Sequence, residues 1–158
     1  MPAHRILFIC LGNICRSPTA EGIFRKLVRE RELEHRFEID SAGTGDWHIG
    51  CPPDARAQHA SLQRGVDISS MRARQVSAAD LARFDTVIAM DLNNLQQLRE
   101  LAPRSHHHKI RLLLDYTDIG DSREVPDPYY GGNHGFDLMI DLLEDACDQL
   151  LANLLGRS

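Results

Sequence analysis

Apolar and polar positions run along this chain in blocks that switch between two periods. Arg5 to Cys10 is a short, largely apolar run, the pattern of a strand buried on both faces. A loop holding Gly12 and Asn13 follows. Ser17 then reads as a helix cap, with Pro18 at the first helical position and Glu21 in the early turns. That helix is expected to reach about Glu34, burying Ile23, Phe24, Leu27 and Val28. Phe37 to Ser41 alternates apolar with polar and predicts a second strand, broken by Ala42-Gly43-Thr44-Gly45 into a loop that carries Trp47.

Pro52-Pro53-Asp54 starts another helix, expected to end at Gly65. Ser77 to Asp80 has the form of a helix cap ahead of Leu81 to Phe84. Asp85 to Met90 predicts a third strand, Leu92 to Leu101 a helix stopped near Pro103, and Lys109 to Leu114 a fourth strand. A polar, turn-rich segment from Asp115 to Gly135 leads to a long helix over Phe136 to Leu155. Its apolar positions Leu138, Ile140, Leu142, Leu143, Ala146, Cys147, Leu150 and Leu154 repeat near 3.6 residues.

Strands alternating with helices imply a three-layer α/β domain around a mostly parallel sheet. Ligands of such sheets sit beyond the strands' C-terminal ends, at the switch point of the strand order, so the loop after Cys10 is the natural site. With 158 residues, the chain suits one domain over 1–158. A net charge of -5 argues against a general nucleic-acid binder but leaves room for a local cationic pocket. No apolar stretch approaches the roughly 20 residues that span a bilayer, and a strand begins without a leader pattern. The expectation is a cytoplasmic protein with no membrane partner. Its cysteines, Cys10, Cys15, Cys51 and Cys147, fit no zinc spacing, and Cys147 falls on an apolar helix face. His106-His107-His108 reads as a solvated loop, so no metal site is expected.

The chemistry gathers in C-L-G-N-I-C-R-S-P, Cys10 to Pro18. Loop amides and a helix N-terminus suit a tetrahedral oxyanion. They also favour a thiolate, as does a nearby arginine; Cys10 would have both, with hydroxyls from Ser17 and Ser41. Arg16 supplies a planar fork for two phosphate oxygens. Gly12 would allow close approach or a positive φ, and Asn13 also tolerates the left-handed region. Downstream, Asp127 stands between two prolines in V-P-D-P-Y-Y, placed to protonate a leaving group and then activate water. Tyr129 and Tyr130, with Trp47, could wall an aromatic slot for an aryl phosphate.

These motifs resemble the low-molecular-weight protein tyrosine phosphatases over nearly the whole chain. Besides the Cys10 loop, S-A-G-T at Ser41, W-H-I-G at Trp47, P-P-D-A-R-A at Pro52, A-R-Q at Ala73, M-D-x-x-N-L at Met90 and D-P-Y-Y-G-G at Asp127 match. The resemblance implies a three-layer flavodoxin-like α/β domain with a central four-stranded parallel sheet flanked by helices. It implies a metal- and cofactor-free phosphatase, working through a phosphocysteine as a monomer or weak dimer. Its substrate would be an aryl phosphate or phosphotyrosine protein, such as a tyrosine kinase. Cys10 would be the nucleophile, Arg16 the phosphate clamp and Asp127 the general acid and base. Leu11, Gly12, Asn13, Ile14, Cys15, Ser17 and Ser41 would bind phosphate or support the loop. Trp47, Tyr129 and Tyr130 would contact substrate, and Cys15 would trap oxidised Cys10 as a disulfide. One departure stands out: where many relatives place a histidine that ties down the loop asparagine, this chain has Met71.

Rival readings share much of this fold. Protein arginine phosphatases favour threonine where this chain has Ile14 and lack the paired tyrosines. Thioredoxin-coupled arsenate reductases need further redox cysteines on a mobile segment. A catalytically dead phosphotyrosine reader would not need the intact trio of Cys10, Arg16 and Asp127.

Overall fold

The computed structural model describes residues 2–117, 122–129 and 133–156. At its centre lies β1 (His4–Cys10), whose last five residues are all buried. On one side it pairs with β2 (Phe37–Gly43) and on the other with β3 (Thr86–Ala89). The fourth strand, β4 (Ile110–Leu112), adds to β3. Every pair is parallel and the order is β2-β1-β3-β4. The order reverses between β1 and β3, so the crevice beyond their C-terminal ends is where such a sheet takes a ligand.

Alternating side chains of β1 feed two hydrophobic clusters. Ile6 and Phe8 pack with α1 (Arg16–Glu30), α2 (Ala55–Gln63) and α5 (Asn133–Leu154). Leu7 and Ile9 pack with α3 (Ala78–Arg83) and α4 (Leu92–Leu101). These are the expected three layers.

Several boundaries differ from the pattern-based expectation, each for a local reason. The first helix begins at Arg16, with Cys15 as its cap residue, so Ser17 lies inside the first turn and Pro18 at its third position. The missing N–H of Pro18 still costs nothing there, because first-turn amides have no intrahelical acceptor. The helix closes at Glu30, and Glu32 takes a φ of 56°. Strand β2 runs two residues further than expected, through Gly43. That glycine also bonds across to the 74–76 segment, its N–H donating to Arg74 O and its carbonyl accepting from Val76. Strand β4 is short, because Leu113–Tyr116 coil into a 3-10 turn. The three consecutive histidines also lie in a 3-10 helix, Arg104–Lys109, rather than an open loop.

On α5, Ile140, Leu143, Ala146, Cys147 and Leu150 are buried as expected, while Leu138 is 49% exposed. Met139 and Leu151 take the buried stripe instead. The capping box on α3 is fully formed: Ser77 accepts from Asp80 N–H and the Asp80 carboxylate accepts from Ser77 N–H.

Candidate functional site

The loop 11–15 leaves β1 and turns straight into α1, and its carbonyls are held from outside. Cys10 O accepts from Thr44 N–H, Leu11 O from Gly45, Ile14 O from Asp54, and Cys15 O from the Thr19 amide and hydroxyl. A trans peptide sets its C=O and N–H on opposite sides. The amides that follow those carbonyls, on Leu11, Gly12, Cys15 and Arg16, are therefore turned the other way, toward the hollow that the loop encircles. The positive φ falls on Asn13 (57°) rather than Gly12. Gly12 supplies room instead, since a Cβ there would stand 3.0 Å from the His48 ring.

Cys10 closes the floor of the hollow, 2% exposed. Its Sγ accepts from Asn13 N–H at 3.3 Å and lies 3.0 Å from Ser17 Oγ. That hydroxyl also accepts from Asn13 Nδ2 at 2.8 Å, and it is the donor to the sulfur when Cys10 is a thiolate, which has no proton to give. The hydroxyl expected to cap the helix is thus turned to Cys10. Ser41 does not reach the sulfur; it acts one step back, accepting from Asn13 Nδ2 at 3.1 Å and donating to Glu21 Oε1 at 2.7 Å. Asn13 Oδ1 accepts from Arg74 N–H at 3.0 Å. With all of these contacts made, Asn13 is braced without a histidine at position 71. Met71 packs at the edge of the core.

Arg16 is 2% exposed and its fork is oriented before any ligand binds. Nη1 donates to Asp91 Oδ2 at 2.7 Å and to Val125 O at 3.0 Å, and Nη2 stands 3.6 Å from Asp127 Oδ2. Burial works against its charge, but Cys10, Asp91 and Asp127 outweigh that and hold its pKa above the ordinary value. Cys15 differs in kind: burial first, then the charges of Asp54, Cys10 and Asp127, push its pKa far above the usual thiol range.

Above this floor is a pocket of about 370 Å³, lined by Cys10, Leu11, Gly12, Ile14, Cys15, Arg16, Trp47, His48, Asp127 and Tyr129. Trp47, 70% exposed, stands at its rim. The indole lies over Gly45, in space that a Cβ would enter, 1.9 Å from the ring. His48 and Tyr129 face each other with ring centroids 6.2 Å apart. Tyr130 lies outside the described residues. Among the described residues, no group of three or more His, Cys, Asp or Glu side chains could hold a metal ion. None of their helices is long and apolar enough to cross a membrane.

Of the expected residues, those on the loop after β1 meet Trp47 from the loop after β2 and Asp127 and Tyr129 from the segment after β4, with Asn13, Ser17 and Ser41 behind them. Sequence reasoning missed the supports. Asp91 follows β3 inside a motif that gave it no role, although an acid just before Leu92 is a legible cap. Arg74, Arg56 and His48 stood inside quoted motifs without a role, and Glu21 only as an acid of the early turns, since the partners that tie them to the site, Asn13, Tyr129 and Ser41, are distant in sequence.

Comparison with known proteins accords with this geometry. Residues 5–157 match the model of the low molecular weight phosphotyrosine protein phosphatases. The low molecular weight protein-tyrosine-phosphatase YfkJ of Bacillus subtilis is 48% identical over 149 residues, 94% of each chain. A protein tyrosine phosphatase from Entamoeba histolytica superposes with a TM-score of 0.94 at 40% identity, over 98% of each chain. A Drosophila arginine phosphatase superposes with a TM-score of 0.88 at 35% identity, over 94% of this chain and 96% of that one.

Proposed function

The chain belongs to the low molecular weight phosphotyrosine protein phosphatase family, and from that premise we propose that this pocket hydrolyses aryl phosphate monoesters through a phosphocysteine. The observation that carries the reading is Cys10 on the floor of the pocket, its sulfur accepting from Asn13 N–H and in contact with Ser17 Oγ, with Arg16 lining the same pocket. A phosphate dianion settles on the loop amides and the remaining face of Arg16. The Cys10 sulfur attacks phosphorus, the bond to the aryl oxygen breaks, and Asp127 gives that oxygen its proton. Water then attacks the phosphocysteine, Asp127 takes a proton from it, and the P–S bond breaks to restore the thiolate. Ser17 and Asn13 stabilise the departing sulfur at this step. No step in this scheme calls on a metal or cofactor.

Trp47, Tyr129 and the adjoining Tyr130 would flank the substrate ring, making a phosphotyrosine protein the substrate class. A monomeric or weakly dimeric, cytoplasmic protein of one domain suits such work, since the thiol must stay reduced. Cys15 would serve as guard. Peroxide oxidises Cys10 to a sulfenic acid, which condenses with the Cys15 thiol to give a disulfide and water.

The likeness to the Drosophila arginine phosphatase favours a second reading, cleavage of phosphoarginine by the same residues. Ile14 and the aromatic rim fill space that would have to take a guanidinium, so the aryl ester is the better fit. Phosphotyrosine and phosphoarginine peptides assayed side by side separate the two; higher kcat/KM on phosphoarginine would reverse the assignment. Asp127→Ala tests the acid. Its kcat/KM should fall by roughly a hundredfold or more with a poor leaving group, and far less with a good one. Equal losses across leaving groups would remove Asp127 from that role.

A further inference from the structure

Two of the contacts that hold the segment carrying Asp127 flank the acid, and only the first belongs to the phosphate clamp. Val125 N–H donates to Met90 O at 2.8 Å and Val125 O accepts from Arg16 at 3.0 Å. Four residues on, Tyr129 O accepts from Arg56 Nη2 at 3.0 Å. Between them Asp127 closes a turn of its own, its Oδ1 accepting from Tyr129 N–H at 3.0 Å. The acid is thus hydrogen-bonded to the residue whose carbonyl Arg56 grips.

Arg56 is itself anchored to the phosphate loop. Its Nε and Nη2 meet the two oxygens of Asp54 at 3.1 and 3.0 Å. Asp54 in turn caps α2 by accepting from Arg56 N–H, and its own N–H donates to Ile14 O at 2.8 Å. The guanidinium also lies against two rings, 5.5 Å from the Tyr129 centroid and 4.8 Å from that of Phe136. A planar fork can pair with a carboxylate, stack on rings and still donate to a carbonyl; an ammonium group cannot do all three. One side chain therefore ties the acid's segment to the loop that holds the nucleophile, through Tyr129 on one side and Asp54 and Ile14 on the other.

We propose that Arg56 is a positioning residue for general acid catalysis, setting the reach of Asp127 into the phosphate pocket. The inference rests on the reading of Asp127 as the acid. Arg56 touches no reacting atom in this account, so its loss should be felt only in steps that need the proton. A displacement of about 1 Å at a catalytic group can cost on the order of a hundredfold, so the effect is measurable.

The test is kcat/KM on aryl phosphates of graded leaving-group pKa, for the full chain and for Arg56→Met, which keeps the apolar stem without the fork. The expected result is a loss of roughly tenfold to a hundredfold on the poorest leaving group and little on the best. Inhibition by vanadate should stay within about twofold, and Arg56→Lys should recover only part of the loss. Placed on Asp127→Ala, Arg56→Met should cost less than about twofold more, because the acid it positions is gone. Equal losses on all leaving groups, or the full loss repeated in the Asp127→Ala background, would overturn the proposal. If Asp127→Ala shows the leaving-group dependence and Arg56→Met does not, only the role of Arg56 falls. If Asp127→Ala lacks it, the acid assignment falls and the inference with it. Asp54→Asn supplies a second variant should Arg56→Met fold poorly. It keeps an acceptor at the α2 cap, weakens the grip on Arg56, and should give the same pattern at smaller size.

Discussion

Asn13 commits its whole side chain to the loop, and the chain of partners behind it ends on a buried acid. Asn13 Nδ2 donates to Ser41, Ser41 donates to Glu21, and Glu21 pairs with Arg25 at 2.8 Å. Burial raises the Glu21 pKa above its ordinary 4.5, although Ser41 and Arg25 pull it the other way. Between the unfolded value and the raised native one, the native state therefore holds a proton that the unfolded chain has released. The stability this group contributes is complete below pH 4.5 and falls as pH rises through the native value. Glu21→Gln keeps an acceptor for Ser41 and removes that titration. Its stability relative to the parent chain, from urea unfolding, should rise with pH across the window just above 4.5. A flat or falling difference would remove Glu21 as a titrating support.

Two elements meet at Asp91, and one carboxylate serves both. Oδ1 accepts from Asn94 N–H at 2.7 Å and so caps α4, while Oδ2 holds Arg16. Asparagine is also a good cap, so Asp91→Asn separates the two duties. Unfolding midpoints should change little, while kcat/KM on an aryl phosphate should drop about tenfold, as expected for the loss of one charge-assisted bond. Asp91→Ala should lose about 1 kcal/mol of stability as well. Full activity in Asp91→Asn would detach Asp91 from the clamp. Element patterns were legible here because they are local: β1, α4 and the Ser77 capping box each announce themselves within a few residues. The start of α1 was misread for a chemical reason, since the Ser17 hydroxyl that could cap the helix is claimed by Cys10. The candidate site was legible in Cys10, Arg16 and Asp127, which line one pocket. Its braces were not, because Arg56 meets Tyr129 across 73 residues and Arg16 meets Val125 across 109, and no short pattern records such pairings.

Across the whole molecule, α5 closes the larger cluster over α1 and α2, and its Phe136 ring lies against Arg56, which holds Tyr129 O. Two of its leucine positions should behave differently. Leu143 is fully buried, so Leu143→Ala should cost roughly 2–5 kcal/mol. Leu138 is half exposed, so Leu138→Ala should stay within about 0.5 kcal/mol. Urea unfolding of the pair checks the register of the helix, and similar losses at both would contradict it. The sheet order brings the ends of β1 and β3 together, and the segments after β2 and β4 complete the pocket over them. In the proposed mechanism that convergence serves phosphoryl transfer to sulfur, a step that can be detected directly. Rapid acid quench during turnover of an aryl phosphate, followed by peptide mass spectrometry, should find one phosphoryl group on the peptide bearing Cys10, and none in Cys10→Ser. Turnover that leaves Cys10 unmodified at every quench time, with the phosphoryl group on another side chain, would contradict the account.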